Sequence, residues 1–287
     1  MESRAIVAAY NGTREAADGV VLATLLGGIV GRPVVAVRVI EDMAAGRSQD
    51  PEDQQYIRRL VTETYGALGA LVADGSIEVV PIVDPMLARG LHEVARNEAA
   101  TFLVVGSSHY GPLGRVLLGG SAELVLEGAP CAVAVAPRDF RTRAALDPRV
   151  IGVAYDGSPS ARDALRLGAQ LADLSGATLR IVGIRPRAGE GALLRAPGTE
   201  LDDAALAEAE AEAVQLAQGA SAIDSLVVEG DPAMSLLGQT EGEVGLMVAG
   251  SRGRGSLRRA LLGSVSTALV RRAKCPVIVV PQPEAAR

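Results

Sequence analysis

The sequence has no tryptophan, two phenylalanines and five tyrosines, so aromatic residues make up only 2% of its 287 positions. Stacking of bases or sugar rings on aromatic faces is thereby excluded as the main binding device. Two cysteines are too few for a disulfide framework, and a reducing cytoplasm is the simplest compartment for them. Of the 28 basic residues only Lys274 is a lysine, so no G-x-x-x-x-G-K-[ST] phosphate loop exists and Walker-type hydrolysis is out. Positive charge is in deficit overall: the formal charge is −6, which disfavours nucleic acid as a partner. Apolar runs such as Gly19 to Val30 fall short of a membrane span and are followed by Arg32 and Pro33. The opening MESRAIVAAYNG reads as a strand and not as a secretory leader.

What remains is a well-mixed chain, 48% hydrophobic and 22% charged, with the length of two domains of about 140 residues. The chain repeats itself. Ala5 to Thr13 (AIVAAYNGT) matches Ile151 to Ser158 (IGVAYDGS), with Asn11 opposite Asp156 at an offset of 145. Val104 to Leu118 matches Val248 to Leu262, and Ala129 to Pro137 matches Ala273 to Pro281, both at an offset of 144. Three matches in the same order mean duplication. The domains are expected at 1–140 and 148–283, joined by a charged, proline-punctuated and exposed linker from about Arg138 to Pro148.

Each half alternates short β-branched runs with helical patterns. In the first half the strands are IVAAY, VVAVRVI, IEVVPIV, FLVVG and CAVAVA, with helices at about 14–28, 53–73, 86–97 and 121–127. The second half offers RVIGVAY, LRIVGI, IDSLVV, GLMVAG and PVIVV, with helices at about 160–175, 202–218, 233–240 and 264–273. The strands are nearly continuous apolar runs, as strands covered by helices on both faces should be. Five strands and four helices per half predict an α/β fold of two open parallel sheets, in which ligands sit at the carboxyl ends of strands near the switch in strand order. The turns after the first and fourth strands are the place to look.

In the second half those turns are Tyr155-Asp156-Gly157-Ser158 and Gly250-Ser251-Arg252-Gly253, the latter followed by nine residues and then Gly263-Ser264. Glycines at that spacing let main-chain amides approach a ligand, Ser264 is placed to cap the helix that begins there, and the helix start favours phosphate. No acidic residue lies between Glu243 and Glu284, while Arg252, Arg254, Arg258 and Arg259 fall near the loop. Arg271, Arg272 and Lys274 suit the far end of the helix, as ordinary dipole complements.

With these residues the second half resembles the universal stress protein domain, whose G-x2-G-x9-G-[ST] motif is matched by Gly250, Gly253, Gly263 and Ser264, with D-G-S beginning at Asp156. The whole chain resembles the tandem form, two such domains in one polypeptide. The resemblance implies Rossmann-like, adenine nucleotide alpha hydrolase-like domains whose final strands pair as an internal pseudo-dimer, and a homodimer of whole chains. It implies binding of an adenine nucleotide, ATP or else AMP or ADP, with or without magnesium. Carried over residue by residue, Asp156 orients the nucleoside, with Ala154, Tyr155 and Ser158 beside it, and Ile184 near the end of the second strand lines the base pocket. Ala249, Gly250, Arg252 and Gly253 form the turn, and Gly263, Ser264, Val265 and Ser266 hold the phosphates.

The first half departs from this pattern. Asn11 replaces the aspartate, His109 takes the second glycine position, and Gly120 stands where Ser or Thr belongs, with Ser121 one residue late. Arg115 alone remains of the nearby arginines, and Glu123 and Glu127 sit where a phosphate would be repelled. A weak or empty first site is expected. The counter-reading is that Asn11 still offers a carbonyl and an amide to a base, and that Gly119-Gly120-Ser121 still frees main-chain amides.

Other residues have plainer readings. His92 and His109, the only histidines, have no acidic or cysteine partner at ligand spacing, so no metal site is expected. Cys131 and Cys275 read as small buried hydrophobes at equivalent strand starts, or as a redox pair if their strands meet. The acidic run Asp202, Asp203, Glu208, Glu210 and Glu212 reads as a solvated helix face. The segment 185–200 is either a cover over the base pocket or a plain connection. Three function classes follow: a nucleotide-dependent stress-response regulator with an unidentified protein partner, a slow ATPase, and a ligand-free interaction protein. No candidate base other than Asp156 lies near the glycine-serine loop, which favours binding without designed turnover and an empty catalytic list.

Overall fold

The β-branched runs become parallel strands and the periodic segments become helices, within a few residues of the expected bounds. In the computed structural model, residues 5–41, 51–70, 77–107, 121–143, 148–185, 203–251 and 262–282 are described. They belong to two units, Met1–Leu146 and Asp147–Arg287.

In the first unit β1 (Ile6–Ala9), α1 (Arg14–Val30), β2 (Val34–Ile40), α2 (Pro51–Gly69), β3 (Glu78–Val83), α3 (Leu87–Asn97), β4 (Phe102–Gly106), α4 (Ser121–Leu126) and β5 (Ala132–Ala136) follow one another. Local chemistry sets the boundaries. Thr13 caps α1 by accepting from the N–H of Ala16 at 3.2 Å, and Gly31 ends the helix in the left-handed conformation at φ 63°. The strands pair in the order β3-β2-β1-β4-β5, all parallel. Right-handed crossovers send connections that run leftward and rightward from β1 to opposite faces of the sheet. The sheet interior is aliphatic, with Ile6, Val7, Leu103 and Val104 fully buried. The outer strand β3 carries Pro81, a residue that sits well at an edge because it has no N–H to leave unpaired.

The second unit repeats the plan with β6 (Val150–Tyr155), α5 (Pro159–Ser175), β7 (Thr178–Arg185), α6 (Asp203–Leu216), β8 (Ile223–Glu229), α7 (Pro232–Thr240), β9 (Leu246–Gly250), α8 (Ser264–Arg272) and β10 (Val277–Val280). Its order is β8-β7-β6-β9-β10, again parallel. Ser158 caps α5 and Gly176 closes it at φ 70°, the counterparts of Thr13 and Gly31. In both units the first strand lies between the second and the fourth, so the direction of strand progression reverses between first and fourth. In open parallel sheets such a reversal is where a crevice forms outside the carboxyl ends of the strands.

One expectation is corrected and one is extended. The stretch from Arg138, expected as an exposed linker, holds a 3-10 turn at Phe140–Thr142 with Phe140 buried. The carboxylate of Asp18 on α1 accepts from the N–H groups of Asp139 and Arg141, each at 2.9 Å, and so ties the turn to its own unit. The acidic face of α6 stays largely exposed, and two of its carboxylates also carry ion pairs that were not expected: Glu212 pairs with Arg166 at 2.8 Å and Asp203 with Arg185 at 2.6 Å. The long side chains of those two arginines reach across from neighbouring elements, which the helix's own sequence does not reveal.

Candidate nucleotide site of the second unit

β6 and β9 run side by side, with Ile151 opposite Leu246 and Val153 opposite Val248. This adjacency brings together the turn after Tyr155 and the turn after Gly250, which are almost a hundred positions apart in sequence. Tyr155 and Ala249 are buried within their strands and Ala154 is half-buried. Ile184, half-buried, lies one residue before the end of β7, paired with Val228 of β8.

Asp156 closes a tight turn. Its Oδ1 accepts from the N–H of Ser158 at 3.0 Å, and Gly157 takes φ 73°, a conformation that disfavours a side chain. The Ser158 hydroxyl accepts from the N–H of Ala161 at 3.2 Å and is buried. Ser158 is therefore engaged in starting α5, and Asp156 is half-buried beside it.

Gly250 is the last residue of β9 and not a turn residue, and its need for glycine comes from packing. A Cβ there would lie 2.7 Å from both the carbonyl carbon and the Cβ of Ser160, at the start of α5. The first unit has the same arrangement, with Gly106 closing β4 against the main chain of Glu15 on α1. The close approach lets the start of the first helix lie against the end of the fourth strand in both units.

The start of α8 also differs from expectation. Gly263, at φ −72° and ψ 156°, is its N-cap residue, with no side-chain cap, and Ser264 is the first helical residue, exposed. Ser264 therefore does not cap the helix, because the chain turns helical one residue too early for its hydroxyl to reach back. The buried hydroxyl of Ser266 donates to the carbonyl of Gly250 at 2.6 Å, pinning α8 to the end of β9. Val265 is half-buried beside it. Among the described residues the first-turn amides meet no side-chain oxygen, and they lie at the positive end of a helix whose last turn holds Arg271 and Arg272. Arg252 and Gly253, with Arg254, Arg258 and Arg259, lie outside the described residues, as do His109 and Gly120 of the first unit and most of the segment 185–200.

Ser251 was missed by sequence reasoning. It is buried; its N–H donates to Val280 at 2.8 Å, its carbonyl accepts from the N–H of Gly263 at 2.7 Å, and its hydroxyl accepts from the N–H of Gln282 at 3.1 Å. The two ends of the glycine-rich loop are thus held together. The signal was present as the repeated Gly-Ser pair, since Ser107 likewise donates to Ala136 at 3.0 Å.

In the first unit Asn11 keeps the turn and changes its chemistry. Its Oδ1 accepts from the N–H of Thr13 at 3.1 Å and from the Thr13 hydroxyl at 2.8 Å. His92 is buried, and its Nε2 donates to the carbonyl of Val125 at 2.7 Å, joining α3 to α4. Cys131 and Cys275 are free thiols, and burial pushes the Cys131 thiol up to about 12. Among the described residues no cluster of three or more His, Cys, Asp or Glu is arranged for a metal ion, and no helix is long and apolar enough to cross a membrane.

Comparison with known proteins follows the same division. A universal stress protein of Mycobacterium tuberculosis is 32% identical over 192 residues, 65% of this chain and 63% of that protein. The match therefore spans less than two thirds of that relative's length. Another universal stress protein of Mycobacterium tuberculosis is 28% identical over 84% of this chain and 80% of its own. The crystal structure of a universal stress protein from Archaeoglobus fulgidus superimposes with a TM-score of 0.70 at 23% identity, covering 99% of this chain and all of that one, which speaks for the fold. The sequence model of the universal stress protein family matches twice, at residues 2–137 and 148–281. A doubled parallel sheet, a doubled glycine-closed strand and a doubled family match agree: the chain belongs to the universal stress protein family and carries two of its domains in tandem.

Proposed function

We propose that this protein binds an adenine nucleotide in its second unit, ATP in preference to AMP or ADP, and acts as a stress-response regulator whose surface toward a protein partner changes with the bound nucleotide. The observation that carries the reading is the start of α8: main-chain amides without a side-chain cap, beside the switch in strand order, with the loop ends closed by the Gly263 to Ser251 hydrogen bond. Asp156 on the neighbouring turn supplies a carboxylate acceptor for the nucleoside. Ile184 offers apolar surface for the base, while Gly250, Gly253, Gly263, Ser264, Val265 and the main chain of Ser266 take the phosphates. Magnesium, if it accompanies ATP, is carried by the phosphates. Of the chain's own groups, the amides bind and orient and the carboxylate fixes the ribose or base; no residue of the turn is positioned as a nucleophile. The same reading extends to a homodimer in the cytoplasm, where the two free cysteines stay reduced.

Calorimetric titration of ATP into the full chain, repeated with Asp156→Ala and Gly253→Glu, tests it. A stoichiometry near one, with affinity lost in both variants, supports the reading. Two equivalent sites, or tight binding that survives both changes, refutes it; phosphate release at a steady rate that both variants abolish replaces regulator with ATPase.

A further inference from the structure

The two units differ in charge at the carboxyl ends of their first two strands. The second has Asp156 after β6, and Gly183 opposite Tyr155 in β7. At the same offset of 145 the first has Asn11 and Arg38. At these two matched positions an amide replaces a carboxylate and an arginine replaces a glycine; further along, the second strand is followed by Glu41 in the first unit and ends on Arg185, paired with Asp203, in the second. The register supports the correspondence: Ala9 pairs with Val37, and Tyr10 and Arg38 come next along β1 and β2.

Arg38 lies over the Asn11-Gly12 turn, where a Cβ on Gly12 would come 3.3 Å from its Nη1. A second guanidinium arrives from the opposite end of the unit. The bonds from Asp139 and Arg141 to the buried Asp18 hold the 3-10 turn on α1, and Nη1 of Arg141 donates to the carbonyl of Arg14 at 3.0 Å. Both cations thus stand at the start of α1, where the helix dipole opposes positive charge and Glu15 is the acidic residue of the first turn. Neither is paired with a carboxylate among the described residues. Close to both is Tyr10, only 5% exposed, whose hydroxyl finds no hydrogen-bond partner among the described residues. Burial raises the pKa of that phenol, and Arg38 and then Arg141 pull it back, so both charges are felt there. Asn11 does not compensate them, because its oxygen is taken by Thr13.

Among the described residues, two guanidinium groups without a carboxylate partner, a tyrosine hydroxyl without a hydrogen-bond partner and a helix start gather at one place, and a single anion is able to satisfy all of them. We propose that the first unit binds a phosphate group, free or as a small monoester, between Arg38, Arg141 and the Tyr10 hydroxyl. The site replaces the nucleoside end of the pocket, since Arg38 stands where the second unit has only Gly183. It does not rest on nucleotide binding by the second unit.

The test is a titration of the full chain, carrying ¹³C-labelled tyrosine, with inorganic phosphate and separately with glycerol 3-phosphate. The Tyr10 signal is identified by its absence in Tyr10→Phe. We expect it to shift and saturate at millimolar ligand, and Arg38→Gln or Arg141→Gln to weaken binding roughly tenfold or more, as loss of a charge-assisted pair should. Neither substitution touches the main-chain bonds to Asp18, and circular dichroism checks that each variant is folded. Whichever ligand binds more tightly identifies the source of the phosphate. A Tyr10 signal indifferent to both ligands, or affinity unchanged in both arginine variants, overturns the proposal. Either result is independent of ATP stoichiometry, because the signal reports the first unit alone.

Discussion

Replacing Gly250 by alanine asks whether the glycine that closes β9 serves packing or a ligand. The new Cβ would lie 2.6 Å from Oγ of Ser160 and 2.7 Å from its carbonyl carbon and Cβ. Ordinary contact begins near 3.4 Å, so the helix start or the strand end must yield by about 0.7 Å. Ser160 is fully buried and one of the three atoms is main chain, so no flexible tip is there to swing aside. Overpacking of this kind costs about 1–3 kcal/mol, and with main chain as the obstacle we expect roughly 2–3 kcal/mol. In a unit of this size that lowers Tm by roughly 6–15 °C. Urea unfolding without nucleotide, followed by far-ultraviolet circular dichroism because tryptophan is absent, measures it. Gly106→Ala provides the control, because its Cβ would run still more closely into the main chain of Glu15, in the unit whose sequence departs from the glycine-serine spacing. It should cost at least as much. A loss below about 0.5 kcal/mol for Gly250→Ala, or a milder effect at Gly106, would refute the packing argument and return the glycine to the ligand.

Two further outcomes are expected. Asp84 accepts from Nε of Arg89 at 2.8 Å and from the N–H of Met86 at 2.8 Å, and the arginine bond chiefly holds its carboxyl below the usual carboxylate range. Its folded pKa lies below the unfolded value of about 4, so its contribution is complete above that pH and disappears as pH falls through the folded value. Asp84→Asn should flatten the fall in urea midpoint below about pH 4 and leave the profile above about pH 5 parallel to the parent; an unaltered acid limb counts against this. Asp18→Ala strands the N–H groups of Asp139 and Arg141, at a cost of about 1–3 kcal/mol for two part-buried donors, and Asp18→Asn should recover part of it. Hydrogen exchange at those two amides reads the effect directly, and unchanged protection in Asp18→Ala rules the tie out.

Some of this molecule was legible without its fold. Helix α1 was expected from Arg14 and α8 from Ser264, and both begin there, because a cap and a 3.6-residue apolar period act over a few residues of chain. The duplication was legible for the same reason, as was the glycine-serine motif that brings the family into view. Features that depend on approach between distant segments were not. Nothing local to Gly250 says that Ser160 presses on it, nothing around Asp18 announces a turn more than a hundred residues later, and Arg38 in an apolar strand gives no sign that it crosses the Asn11-Gly12 turn. The Ser264 cap was a sound local expectation that failed by one residue: Gly263 takes the cap position, and Ser266 bonds the carbonyl at the end of β9. Periodicity and capping thus determine which elements this chain forms, since their energies are settled within a turn or a strand. Strand order, the adjacency of β6 and β9, and the charges gathered at Tyr10 are decided only when the sheet closes, since side chains meet there across a separation that the sequence does not encode as a pattern.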